Sequence, residues 1–151
     1  MSAASVPERL DAGQARLLRH QYALIAVDPA GFAAGFYARL FTLAPLTRAL
    51  FRQHMDAQGD RFMRMLGRLI GEADRPEAMA TTIAHLADLH RPHGLVPEDA
   101  EPVLAALCGE LAARLGDGFD AAARTAWASL YGLAVAPMFD GPAVDDVPPG
   151  A

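Results

Sequence analysis

Apolar residues along this chain recur at the three-and-four spacing of helices, and no segment alternates at the period of two that a half-buried strand needs. The pattern predicts helices throughout. A first helix is expected from about Pro7 to Ala26, with Leu10, Leu17, Leu18, Leu24 and Ile25 as its stripe and Gly13 weakening its first half by about 1 kcal/mol relative to alanine. Asp28 followed by Pro29 reads as a helix start, since the carboxylate caps and proline suits the first turn. That second helix carries Phe32, Phe36, Tyr37, Leu40 and Phe41 to about Leu43, and Pro45 opens a short piece ending near Phe51. The next, about Met55 to Gly71, sets Gln58, Phe62, Met65, Leu66 and Leu69 on one face. After Arg75-Pro76, a helix lined by Met79, Ile83, Leu86 and His90 runs to a stop at Pro92 and Gly94. Pro97, Glu98 and Asp99 begin a sixth, with Val103, Leu104, Leu107, Cys108 and Leu111 inward. The last is expected from about Phe119 through Trp127, Leu130, Tyr131 and Ala134, ended or kinked by Pro137.

Seven helical pieces in 151 residues suit one all-α domain, spanning residues 7–139. Residues 1–6 and 140–151 hold little to bury and are expected to be flexible ends. At 52% hydrophobic and 21% charged, the composition belongs to chains that fold. The net charge is −5, and the 13 basic residues, all arginines, are scattered from Arg9 to Arg124, which argues against a nucleic-acid partner. The single cysteine, Cys108, forms no internal disulfide and points to a reducing compartment. No stretch approaches the about 20 apolar residues of a membrane span, so a cytoplasmic protein is expected.

Three polar residues sit on apolar faces. His90 shares a side with Ile83 and Leu86, where a neutral imidazole is favoured. It suits an iron ligand inside an apolar slot, but taken alone it reads more readily as a core histidine bonded to a backbone carbonyl. Gln58 lies one turn before Phe62, and a buried amide there must find partners, but a surface position explains it as well. Tyr37 reads either as a donor in a pocket or as a large core side chain with its hydroxyl at the rim. A zinc cluster of His85, His90 and His93 is disfavoured, because Pro92 breaks the helix and no cysteine is near. Glycine-rich phosphate loops and a nucleophile elbow are absent from the sequence.

Order and separation add what single residues lack. The run Phe36-Tyr37-Ala38-Arg39-Leu40-Phe41, then Pro45, then Arg48-Ala49-Leu50-Phe51, resembles the second and third helices of bacterial single-domain globins and of the haem domains of flavohaemoglobins. Gln58, with Arg61-Phe62-Met63 after it, resembles their distal helix after a shortened corner. His90-x-x-x-Gly94-Leu95 is similar to the proximal histidine and the turn behind it, and Ala126-Trp127-x-x-x-Tyr131-Gly132 to the last helix. The resemblance covers about Leu10 to Phe139.

It implies a globin fold of about seven helices around a pocket for b-type haem. His90 becomes the proximal iron ligand, Phe51 the aromatic against the haem face, and Tyr37 with Gln58 the distal hydrogen-bonding pair. A phenol and an amide in a dry pocket favour dioxygen, which takes on partial negative charge when bound, over carbon monoxide. Phe62, Leu86 and Leu95 are implied as further haem contacts, and Arg61 and His93 as candidates for a propionate or for solvent. The implied function is reversible binding of dioxygen, and of nitric oxide or other small ligands. One alternative is a nitric oxide dioxygenase, or a weak peroxidase, fed by a reductase in trans, because these 151 residues hold no flavin or nicotinamide domain. Another is a haem-free sensor or interaction module. Without a Cys-x-x-Cys-His motif the haem carries no thioether links.

Two departures bear on chemistry. Phe62 stands where these globins usually have a smaller aliphatic residue, which implies a tight pocket and slow ligand entry. Ala100 and about Pro142 fall where the family holds its proximal histidine with a tyrosine and a glutamate, which weakens the case for peroxidase-like activation. His54 is close enough in sequence to offer a sixth iron ligand, though Gln58 occupies the expected distal place.

Overall fold

Helix caps decide where the chain turns in this computed structural model, which describes residues 9–51, 54–90 and 97–140. The first helix, α1 (Ala12–Ile25), begins not at Pro7 but behind Asp11, whose carboxylate accepts from the Gln14 backbone N–H while the Gln14 side chain accepts from the Asp11 N–H. Such a reciprocal box satisfies two orphan donors and marks the helix start, while Pro7 itself lies outside the described residues. The start of α2 (Pro29–Leu43) follows the sequence pattern, with Asp28 accepting from Gly31 N–H at 3.1 Å. A 3-10 segment, Pro45–Leu50, leads to Phe51. Then come α3 (Met55–Gly71) and α4 (Pro76–His90). A 3-10 turn at Pro97–Asp99 enters α5 (Ala100–Leu115), which ends at Gly116, where a φ of 56° suits a residue without a side chain.

The last helix, α6 (Ala121–Asp140), starts behind Asp120 rather than at Phe119, because the Asp120 carboxylate accepts from Ala123 N–H. It also passes through Pro137 instead of stopping there. Proline that late forfeits one backbone bond, while Leu133, Ala134 and Met138 around it remain packed on the core. No strand occurs among the described residues, and the seven predicted helical pieces all have counterparts. The expected flexible ends, residues 1–6 and 140–151, lie outside the described residues except for Asp140, which closes α6.

Packing puts α2 across both α5 and α3, α4 along α6, and α1 against α6, α3 and α5. Leu18, Phe32, Ile70, Leu111 and Trp127 are fully buried where these meet. Leu24, expected on the inner stripe of α1, is half exposed, and Gln21 takes the buried place instead. Its amide is satisfied on both sides: it accepts from Trp127 Nε1 at 2.8 Å and donates to the Gly118 carbonyl at 2.7 Å. Where α2 crosses α3, a Cβ on Gly59 would lie 2.9 Å from Ala33 Cβ. Only glycine permits that approach, and it draws Gln58, the next residue, toward Tyr37, one turn beyond Ala33. Among the described residues no single helix is long and apolar enough to cross a membrane.

Candidate functional site

A cavity of about 670 Å³ opens between α2, α3, α4, α5 and α6, within the range of small-molecule sites. Its walls are mostly apolar, from Phe36, Leu40, Leu66, Leu69, Leu107 and Leu130 among others. Polar groups enter at only a few places, and those include the residues marked in the sequence. Tyr37, Phe51, Gln58, Arg61, Phe62, Leu86 and His90 all line this one cavity. His93 and Leu95 lie outside the described residues.

Tyr37 comes from the buried face of α2 and Gln58 from the first turns of α3. Gln58 Nε2 donates to the Tyr37 oxygen at 3.0 Å, and Arg61, one turn on, donates to Gln58 Oε1 at 3.0 Å. Burial pushes the Tyr37 pKa up, against smaller downward pulls from Gln58 and the Arg61 charge, so the phenol keeps its proton at neutral pH. Its oxygen already accepts from Gln58, which leaves that proton free to be donated.

His90 closes α4 from a different wall. Its Nδ1 stands 2.9 Å from the Leu86 carbonyl oxygen. A carbonyl only accepts, so Nδ1 carries the proton and Nε2 is left as the ring's lone-pair nitrogen. That bond alone also fits a plain core histidine. The distinction lies in where the ring sits, half-buried on a cavity wall. Metal-bound histidines typically hold their other nitrogen in just this way.

Aromatic rings pack the α2 and α3 side. Phe62 lies flat on Phe36, with centroids 4.5 Å apart and planes 6° from parallel, and meets Tyr37 edge-on at 5.8 Å. Phe51 contacts Tyr37 edge-on at 5.3 Å, and Arg48 sits 5.0 Å over the Phe41 ring that tilts against Phe51. At the rim of α3, Arg64 pairs with Asp60 at 2.7 Å and Arg68 with Glu72 at 3.3 Å.

Sequence reasoning gave no role to Tyr131, which lines the cavity from α6 and donates its hydroxyl to the Ala100 carbonyl at 2.5 Å. Burial, with Asp99 adding to it, drives its pKa far up. Ala100 is the first residue of α5, so this bond ties α6 to the start of α5. The tyrosine's only sequence signal was a hydroxyl on an apolar stripe. Cys108 is buried with its thiol pKa raised by that burial, as a small inert core residue should be. His85 and His54 are exposed, and among the described residues no three histidine, cysteine, aspartate or glutamate side chains gather to hold a metal.

The helical fold thus sets an imidazole on one wall of a large apolar cavity and a phenol–amide pair on another, an arrangement suited to a small ligand. The globin family model matches residues 34–138, and the chain belongs to the globin family. The chain matches no curated protein at a significant level. The architecture is the globin fold, and globins usually bind haem and diatomic ligands.

Proposed function

We propose that the protein holds a b-type haem in this cavity, with His90 as proximal ligand, and binds dioxygen reversibly, with nitric oxide or other diatomic molecules as further ligands. The observation that carries the reading is the convergence of His90, Tyr37 and Gln58 on one apolar cavity large enough for a cofactor. The donor set fits. His90 Nε2 is the free nitrogen of a ring whose other nitrogen is already held, and apolar walls suit a flat macrocycle. Haem bound there supplies an iron atom with an open position for a diatomic ligand. Tyr37 donates to a partly negative ligand, Gln58 holds the phenol oxygen, and the Phe36–Phe62 stack narrows the space and excludes water. Arg61, which lines the cavity together with Arg64 and Arg68, would meet a propionate. The sole cysteine is buried on α5, so attachment is non-covalent.

Visible spectra of the purified protein in ferric, ferrous and carbonmonoxy forms test this. Haem bands that survive in His90→Ala unchanged would reject the proximal assignment. A haem-free module is the weaker reading, since a cavity this large with no occupant forfeits packing contacts along every wall. Catalytic oxidation of nitric oxide to nitrate ranks second, because the Tyr37–Gln58 pair that steadies dioxygen serves that reaction too. That reaction needs electrons from a reductase. Nitrate formation in the presence of reductant, no faster than in a Tyr37→Phe, Gln58→Leu double variant, would exclude it.

A further inference from the structure

We infer that Arg61 is a positioning residue that sets the direction of the hydrogen bonds between Gln58 and Tyr37, and so decides whether the phenol proton faces the cavity. The inference rests on the haem-site reading for its consequence, but not for its geometry. A guanidinium carries only donors, so the Gln58 atom 3.0 Å from Arg61 is the carbonyl oxygen. The amide nitrogen then faces Tyr37 and donates to its oxygen at 3.0 Å. With its acceptor capacity used, Tyr37 keeps its O–H for the cavity.

Without the guanidinium the amide has two nearly equivalent orientations. In the flipped one, Gln58 Oε1 faces Tyr37 and takes the phenol proton, which removes the donor from the cavity. A charge-assisted bond from Arg61 selects between them. Its neighbours on α3 are committed elsewhere, Arg64 to Asp60 and Arg68 to Glu72, whereas Arg61 spends its described hydrogen bond on Gln58. An exposed arginine at the cavity rim thus orders two groups further inside.

The experiment uses the full chain with haem bound, in wild type, Arg61→Met, Arg61→Lys, Gln58→Leu and the Arg61→Met, Gln58→Leu double variant. Arg61→Met should split or broaden the C–O stretch of the carbonmonoxy form and speed dioxygen release about tenfold, the effect of losing a hydrogen bond to a charged partner. Arg61→Lys should recover most of the wild-type band. In the Gln58→Leu background the same Arg61→Met change should alter release by less than about twofold, the scatter of such comparisons, because its effect passes through Gln58. An Arg61 effect that persists at full size without Gln58 would overturn the inference, as would no effect in either background. A second readout does not depend on haem. The two side-chain amide proton resonances of Gln58 should shift in Arg61→Met as the protons meet new partners, and unchanged resonances would refute the positioning role. If the purified chain takes up no haem, the functional reading fails, while the amide signals still decide the orientation.

Discussion

Replacing Glu110 with glutamine removes a charge that ties two helices together behind the Tyr37 face of α2. The carboxylate, only 7% exposed, accepts from Arg39 Nε of α2 and from Arg114 Nε of α5, both at 2.9 Å. Gly35 leaves room for it, since a Cβ there would fall 2.3 Å from the carboxyl carbon. Each such bond contributes about 1.5–3 kcal/mol when charged groups are well buried. The arginines, at 43% and 32% exposed, rehydrate on losing their partner, so the two contributions do not sum in full. Glutamine keeps the shape and one acceptor. The expected cost is about 2 kcal/mol, or a fall in Tm of about 4–8 °C for a chain of this size. Urea titration at fixed haem loading should show a lower midpoint at constant slope. Asp60→Asn is the contrasting case. Its pair with Arg64 is shorter, 2.7 Å, but both side chains are more than 60% exposed, and the expected loss is under about 0.5 kcal/mol. Equal losses in the two variants would refute the argument that burial, not distance, sets the strength.

The same groups predict the acid limit of stability. Burial raises the pKa of Glu110, but the hydrogen bonds from Arg39 and Arg114 outweigh it and hold it below the ordinary value; hydrogen bonds from Arg114 and Arg19 do likewise for Asp28 and Asp74. The folded state therefore binds fewer protons than the unfolded one. This stability is present above the ordinary carboxylate range of about 4 and is lost as pH falls through the lowered values; a midpoint unchanged down to about pH 3 would contradict it. Asp11→Ala should cost about 0.5–2 kcal/mol in the same titration by removing the α1 cap. Phe62→Leu should unstack Phe36 and raise the carbon monoxide association rate, measured by flash photolysis, and an unchanged rate would show that this ring does not limit entry.

Helix boundaries were legible wherever a local signal stood alone. Asp28-Pro29, Pro45, Gly71 and Pro76 mark the starts and stops of α2, the 3-10 segment, α3 and α4 because each cap or breaker acts within a few residues. At the first helix the start is set by the Asp11–Gln14 box, a side-chain pairing across one turn. At Pro137 tertiary packing overrode a local breaker. The Tyr37–Gln58 pairing was implied by the family resemblance, and the crossing of α2 and α3 at Ala33 and Gly59 gives it its physical basis. Tyr131 and Glu110 were not legible in their roles. Their partners, Ala100 and Arg39, lie 31 and 71 positions away, and nothing local announces such contacts. Arg61 could be placed beside the site from its helical spacing, but not the acceptor it would choose.

Resonance Raman scattering from the ferrous, ligand-free protein is the most direct probe of the bond on which this account turns. An iron–histidine stretch should appear in the wild type and shift when histidine nitrogens are isotopically labelled. It should vanish in His90→Gly and return when free imidazole is added to that variant. A stretch that persists in His90→Gly before imidazole is supplied would contradict the assignment of His90 to the metal.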